Sequence, residues 1–394
     1  MRGLSPRARS RLVFMALYAA VGAASPYLAL YYRDVGLDVG EIGLIVSFGS
    51  IVTLAAGPTW GLLSDRNAGS PRVFLGAAAC SLAGTALLSQ AHDLLAVLIA
   101  VVLFASGFAG MAPIVDARAL ELAGSERSGY GPLRAWGSVA YVVVASGTGA
   151  AIDRFGIGAP FVVLAAMLTL TAVVGGTIRP PSRGGAVRQP IPGPSAIIRA
   201  LATPALGLFL LGAFLMFTTL GAVTSFITLR FAELGAPAAI IGVSTAFGAA
   251  IEVPVMLRFP WLAARFGGDR LLVSGAVIFA IRAVLTSLTA EPAALVVLSG
   301  LGGLGYACFL VGGVTFVSRH APPELAATAQ SLFSGTTNGL GQVAAGAMGG
   351  WIGFNIGLTG MFAISSALAL AAAGVLVVAI RTPAVAPDPA RTAT

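Results

Sequence analysis

Four charged side chains and one tyrosine lie in or beside long apolar runs, and they set the chemistry to consider. Asp116 is near the end of one run, and Arg134 is near the start of the next. A charge inside a membrane span costs about 2.5–3.5 kcal/mol even on the lenient insertion scale, so each needs a reason to be there. Arg134 is a planar five-donor fork, suited to bidentate recognition of hydroxyls or a carboxylate. Tyr141 follows seven residues later, two helical turns on and so on the same face, where its ring can stack on a sugar or aromatic ring. Together these three read as a polar substrate site. The same residues also fit a plainer arrangement, an ion pair that packs two helices beside a packing aromatic.

A second group lies in the other half of the chain. Glu252 sits between Ile251 and Val253, well inside an apolar run, and Arg282 is twelve residues into the next. Burial favours the protonated carboxyl, so Glu252 can take up a proton near neutral pH, with Arg282 as its counter-charge. Here the plainer arrangement is a static buried ion pair. Arg258 and Arg118 lie nearer run ends and read as side chains reaching for the headgroups.

The elements that carry these residues follow from composition. Of 394 residues, 57% are hydrophobic and only 10% charged, where a soluble domain has about a quarter charged. Apolar runs near 12–32, 41–63, 72–91, 94–121, 133–152, 157–178, 205–229, 238–262, 270–289, 293–317, 326–350 and 356–380 are each long enough to span a bilayer. The expected fold is an all-α membrane protein of twelve transmembrane helices. Residues 1–178 form one six-helix bundle and 205–394 another. The Pro-, Gly- and Arg-rich stretch 179–204 links them. The N-terminal arginines and first apolar run imitate a signal peptide, but the run continues past Pro26 and many more follow, which favours a span.

Every basic residue is arginine, and the formal net charge is +8. The arginines do not gather on one soluble segment, so a nucleic-acid partner is not expected. With the N-terminus inside, seventeen of the 23 fall in cytoplasmic segments, which sets both termini in the cytoplasm by the positive-inside rule. Cys80 and Cys308 both lie in apolar runs, and no disulfide is expected. The halves also repeat at an offset of about 200 residues. Ala150-Ala-Ile-Asp153-Arg-Phe155-Gly has a counterpart in Gly350-Trp-Ile-Gly-Phe354, and Asp65-Arg66 has one in Asp269-Arg270. Parallel repeats of this kind mark transporters whose site lies between the halves near the midplane.

Gly61-Leu-Leu-Ser-Asp65-Arg66 resembles the signature loop of the major facilitator superfamily. The resemblance implies that Gly61, Asp65 and Arg66 brace the cytoplasmic side in one conformation. Within that superfamily the chain is similar to the lactose permease-like and phenylpropionate permease-like proton symporters. Pro113-Ile-Val-Asp116-Ala looks like their helix-four acidic motif. Gly131-Pro-Leu-Arg134-Ala-Trp136-Gly137 looks like their helix-five Arg motif, with Tyr141 at the sugar-stacking position. Arg282 matches their helix-nine Arg. Where the lactose permease kind has a coupling His and Glu in helix ten, this chain has Gly302 and Gly305. The acidic position in helix eight is Ala249, and Glu252 lies about one turn on.

The resulting expectation is a secondary transporter that couples protons to a small polar solute: a sugar or glycoside, an aromatic acid, or a nucleoside. Asp116, Arg134 and Tyr141 would bind the solute, with Glu252 and Arg282 coupling the proton. Proton-driven efflux of drugs or metabolites is the alternative. No phosphate-binding loop is present, so an ion gradient supplies the energy and no cofactor or metal is expected. An intramembrane enzyme would need convergent nucleophile, base or metal ligands, and no HExxH or GxSxG occurs. The chain is expected to act as a monomer in the inner membrane, with the solute, protons and lipid as its partners. A reporter fused at residue 190 should report from the cytoplasm; an external signal there overturns the orientation.

Overall fold

The computed structural model describes residues 6–67, 70–123, 130–177, 201, 203–322 and 325–383, and these are helices joined by short turns. The N-terminal half holds α1 (Pro6–Ala24), α2 (Leu28–Asp34), α3 (Val39–Arg66), α4 (Pro71–Leu88), α5 (Leu94–Ala123), α6 (Tyr130–Phe155) and α7 (Ala159–Gly175). The C-terminal half holds α8 (Pro204–Glu233), α9 (Ala238–Phe266), α10 (Gly268–Leu288), α11 (Pro292–His320) and α12 (Ala326–Ser334). A seven-residue π-helical segment (Gly335–Gly341) and α13 (Gln342–Arg381) complete it. Most of the 179–204 linker lies outside the described residues; α8 begins beyond it, capped by the Thr203 hydroxyl, which accepts from the Leu206 N–H at 3.3 Å.

Among the described residues, nine helical runs are long and apolar enough to cross a membrane. The difference from twelve arises in three places. The side chains at the start of α6 are outside those described. At 17 residues, α7 is apolar but short. The last run, Thr328–Arg381, merges the two expected spans 326–350 and 356–380. That run is not continuous, because Gly357 adopts φ 85° and ψ 165° inside α13. This is a conformation that glycine takes without steric cost.

Each half packs mainly on itself. In the first, α1 lies against α6 and α7, α4 against α5 and α7, and α3 against α5. In the second, α13 lies against α8 and α10, and α11 against α9 and α10. The halves meet where α3 crosses α13 and α6 crosses α9. At the end of the molecule where α9 and α13 cross α6 and α3, the crossings are held by small residues and local hydrogen bonds. A Cβ on Gly43 would stand 2.5 Å from the Gly346 carbonyl oxygen, and one on Gly242 would stand 2.6 Å from the Ser146 Cα. The Ser47 hydroxyl donates to the Val343 carbonyl at 2.8 Å. Small residues let backbones approach this closely, which is how helices associate in lipid.

A carboxylate reinforces this end. The first N–H groups of α9 have no partner in their own helix. Asp153, near the end of α6, accepts from the Ala238 and Ala239 N–H groups at 2.7 and 2.9 Å. It is a helix cap supplied across the interface, with charge matched to the helix N-terminus. The hydrogen bonds Arg33–Leu229, Ser47–Val343, Ser146–Gly242 and Asp153–Ala238/Ala239 join the halves at this end. At the other end Trp136 and Trp261 are exposed. There Arg319 pairs with Asp269, tying the end of α11 to the start of α10 within one half. The halves are thus held together at the Asp153 end, the sealed end; the opposite end, where those tryptophans are exposed, is called the open end. Overpacking costs about 1–3 kcal/mol, so a side chain at Gly43 should shift this closure roughly tenfold. In a chain lacking Cys80 and Cys308, Gly43→Val should speed labelling of Ser47→Cys by a charged maleimide about tenfold. An unchanged rate would mean the α3–α13 crossing does not hold this end shut.

Candidate functional site

Between the halves lies a cavity of about 360 Å³. Broken helices build much of its wall. Helix α1 stops at Ala24 because Pro26 has no N–H and its ring clashes with the preceding turn. Ser25 and Pro26 of that break face the cavity. In α9, Pro254 interrupts the hydrogen-bond ladder two residues after Glu252. The π-helical segment between α12 and α13 presents Asn338, and the first residue of α13, Gln342, follows it on the wall. Discontinuous helices of this kind are tolerated in a membrane where they line a cavity.

The cavity brings Tyr141 of α6 together with Glu252 of α9 and Arg282 of α10. Arg282 is 8% exposed. Its guanidinium carbon lies 5.3 Å from the centre of the Phe279 ring, one turn away. Its Nε has no hydrogen-bond partner, and among the described residues Arg282 forms no ion pair. Glu252 and Arg282 share the cavity wall. A buried guanidinium with unmet donors is a strong site for a hydroxyl pair or an anion.

The glycines of α11 explain how Arg282 fits. A Cβ at Gly302 would stand 2.6 Å from Arg282 Nη1 and 3.0 Å from Nε. Any side chain there displaces the guanidinium. A Cβ at Gly303 would stand 3.2 Å from the Glu252 backbone nitrogen, so this glycine lets α11 approach α9. Gly305 has a different task, since its Cβ would meet the Gly275 carbonyl at 3.0 Å, and it seats α11 on α10. The two positions that carry a His and a Glu in the lactose permease kind are here a clearance for an arginine and a helix crossing.

The remaining sequence candidates fall elsewhere. Asp116 is half-buried and is not among the cavity-lining residues. It lies eight residues beyond Phe108 on α5, about 12 Å along the helix axis toward the open end. The side chains of Arg134 and Asp65 lie outside those described. Gly61 has open space around it and Arg66 is exposed, both near the end of α3. Among the wall residues that escaped the sequence reading are Tyr306, Asn338 and Gln342. For the last two the signal was there: Gly335-Thr-Thr-Asn338-Gly-Leu-Gly341 is a polar, glycine-rich break in an apolar run. A side chain at Gly221 of α8 would collide with the Gln342 amide, so α8 is cut back to admit it.

The MFS_1 like family model matches residues 9–364. The maltose permease of Geobacillus stearothermophilus is 27% identical over 347 residues, covering 86% of each chain. A putative sugar efflux transporter of Deinococcus radiodurans is 27% identical over 397 residues, covering 95% of this chain and 98% of its own. Among solved structures, the nucleoside transporter NupG superposes with a TM-score of 0.81 at 15% identity, covering 96% of this chain and 100% of its own. At that identity the likeness is one of fold.

Displacing Arg282 should be felt by whatever the cavity holds. Gly302→Ala and Arg282→Lys should each weaken ligand binding at least about tenfold, a loss of about 1.4 kcal/mol. Gly207→Ala on α8, where a Cβ meets nothing within 4 Å, should leave it unchanged. Equal affinities for Gly302→Ala and Gly207→Ala would remove Arg282 from the binding site.

Proposed function

Because the chain belongs to the MFS_1 like family, whose relatives named above are transporters and not enzymes, we propose that it is a secondary active symporter that carries a small polar solute with a proton by alternating access. The single observation that carries this reading is the cavity between the halves, walled by Tyr141, Glu252 and Arg282 and sealed at one end. A sugar or glycoside is the favoured solute. Maltose permease and sugar efflux transporter are the names of the sequence relatives, and the wall mixes hydrogen-bond donors with acceptors as a polyol requires.

The integral membrane chain crosses the bilayer twelve times in this reading. A continuous α13 of 40 residues would be about 60 Å long, twice the hydrocarbon thickness of about 30 Å. The break at Gly357 supports its division into two crossings. The arginine distribution supports cytoplasmic termini in the inner membrane. The sealed end then faces outward and the open end faces the cytoplasm. The chain works as a monomer.

The cycle follows from these assignments. Solute binds to Arg282 and Tyr141 while Glu252 takes a proton. As the halves rock, the Asp153 cap and the Ser47 contact release, and the loop holding Gly61, Asp65 and Arg66 closes on the cytoplasmic side. Asp116 and Arg134 guide the solute at the cytoplasmic mouth. Glu252 is the coupling group in this reading because it lies on the cavity wall with Tyr141 and Arg282, where its surroundings change as the halves rock. The efflux alternative is an antiport, in which proton and solute occupy the cavity in turn and cross in opposite directions; the name of the Deinococcus relative supports it. Reconstituted protein under an imposed pH gradient decides direction by the sign of the driven flux.

Glu252→Gln should abolish accumulation of solute against a gradient while leaving exchange between equal pools largely intact. Uphill transport by Glu252→Gln under a pH gradient would show that another group carries the proton.

A further inference from the structure

A second cavity, of about 340 Å³, lies inside the N-terminal half beside the first. Ser25, in the break between α1 and α2, borders both. Neighbouring residues of α8 also divide between them, Thr224 on the polar cavity and Ser225 on the second. The second cavity has a different character. Tyr32, Ile45, Val101, Phe104 and Phe108 line it, with Phe104 and Phe108 stacked at 5.6 Å between ring centres. It has hydroxyls too, but those of Ser50 and Thr53 donate to the carbonyls of Val46 and Gly49 in their own helix, at 2.8 and 2.9 Å. No charged residue lines it.

The two cavities together describe a ligand with two parts. The polar cavity offers a guanidinium, a carboxylate, two phenols and two amides, donors and acceptors that a sugar's hydroxyls can meet at once. The apolar cavity offers mostly aromatic and aliphatic faces; the hydroxyls of Ser25, Tyr32 and Ser225 also line it, too few to match those of a second sugar ring, most of which would be left unpaired there. Its size is ample for a ring, since a dry apolar cavity of about 150 Å³ already admits benzene. A group bridging the two would pass Ser25.

We propose that the transported solute is an aryl glycoside, its sugar held by Arg282, Glu252, Asn338 and Gln342 and its aromatic aglycone seated against Phe104 and Phe108. This rests on the transporter reading above and deepens it. It reassigns the apolar cavity from packing defect to specificity site. Ala105, 8% exposed on the same wall, is where a larger side chain would fill the aglycone space.

The test uses matched pairs, the methyl and phenyl glycosides of glucose, galactose and maltose, and dissociation constants measured on the purified full chain. For the sugar that binds, the phenyl member should bind at least about tenfold tighter, as burial of a ring allows. Ala105→Phe should bring the phenyl member down to the affinity of the methyl member and leave the methyl member unchanged. Phe108→Leu, which keeps the apolar volume but removes the ring, should cut the phenyl preference severalfold and provides a milder check on the same wall. Equal binding of the two members, or a loss on Ala105→Phe shared equally by both, overturns the aglycone site and leaves the transporter reading in place. If no member of any pair binds or crosses a reconstituted membrane, the glycoside transporter reading falls and the aglycone site falls with it.

Discussion

Within hydrocarbon a helix can be interrupted only where something other than lipid meets the freed backbone groups. That constraint organises this molecule. The break at Ser25-Pro26, the proline after Glu252 and the π-helical segment at Gly335–Gly341 are in different helices and far apart in sequence, yet each borders the same central cavity. Pro58, Pro113 and Pro260 also lie inside helices, in the half of each nearer the open end. The cavity is the place in the membrane where irregular backbone is tolerated, and the irregular backbone in turn brings polar side chains to its wall.

Glycine carries the second layer of the design. The chain has 51 of them, and a few have identifiable tasks at atomic range. Gly43 and Gly242 let the halves touch at the sealed end, and Gly302 makes room for Arg282. In lipid there is no hydrophobic drive to pull helices together, so close van der Waals approach has to do it. The same closeness makes the seams sensitive to single methyl groups. Gly302 ties the two roles together, because the missing side chain on α11 is what leaves a buried guanidinium facing the cavity.

The sealed end is asymmetric in its chemistry. On one side of the interface, α3 and α13 meet through small residues and the Ser47 hydroxyl. On the other, Asp153 reaches across to cap α9. A cap of this type is typically worth about 1 kcal/mol when lost, which suits a contact that breaks in the proposed cycle. Several such modest contacts hold the end closed, and none is so strong that rocking the halves would be prohibitive.

Local properties of the chain decided much of this. Hydropathy placed the apolar runs, the excess of arginine on alternate loops gave an expected orientation, and the cost of a charge in lipid singled out Asp116, Arg134, Glu252 and Arg282. Those inferences need only the neighbours along the chain and the solvent around it. Helical periodicity says which residues share a face, but not which way that face turns or which helix it meets. Packing settled that: it put Tyr141, Glu252 and Arg282 on one wall and left Asp116 about 12 Å along α5 from Phe108. The π-helical turn changed the register in which Asn338 and Gln342 are presented, and the apolar chamber between α1, α3 and α5 exists only because three faces from distant stretches leave space between them. A void is a property of the assembled helices, so no residue announces it.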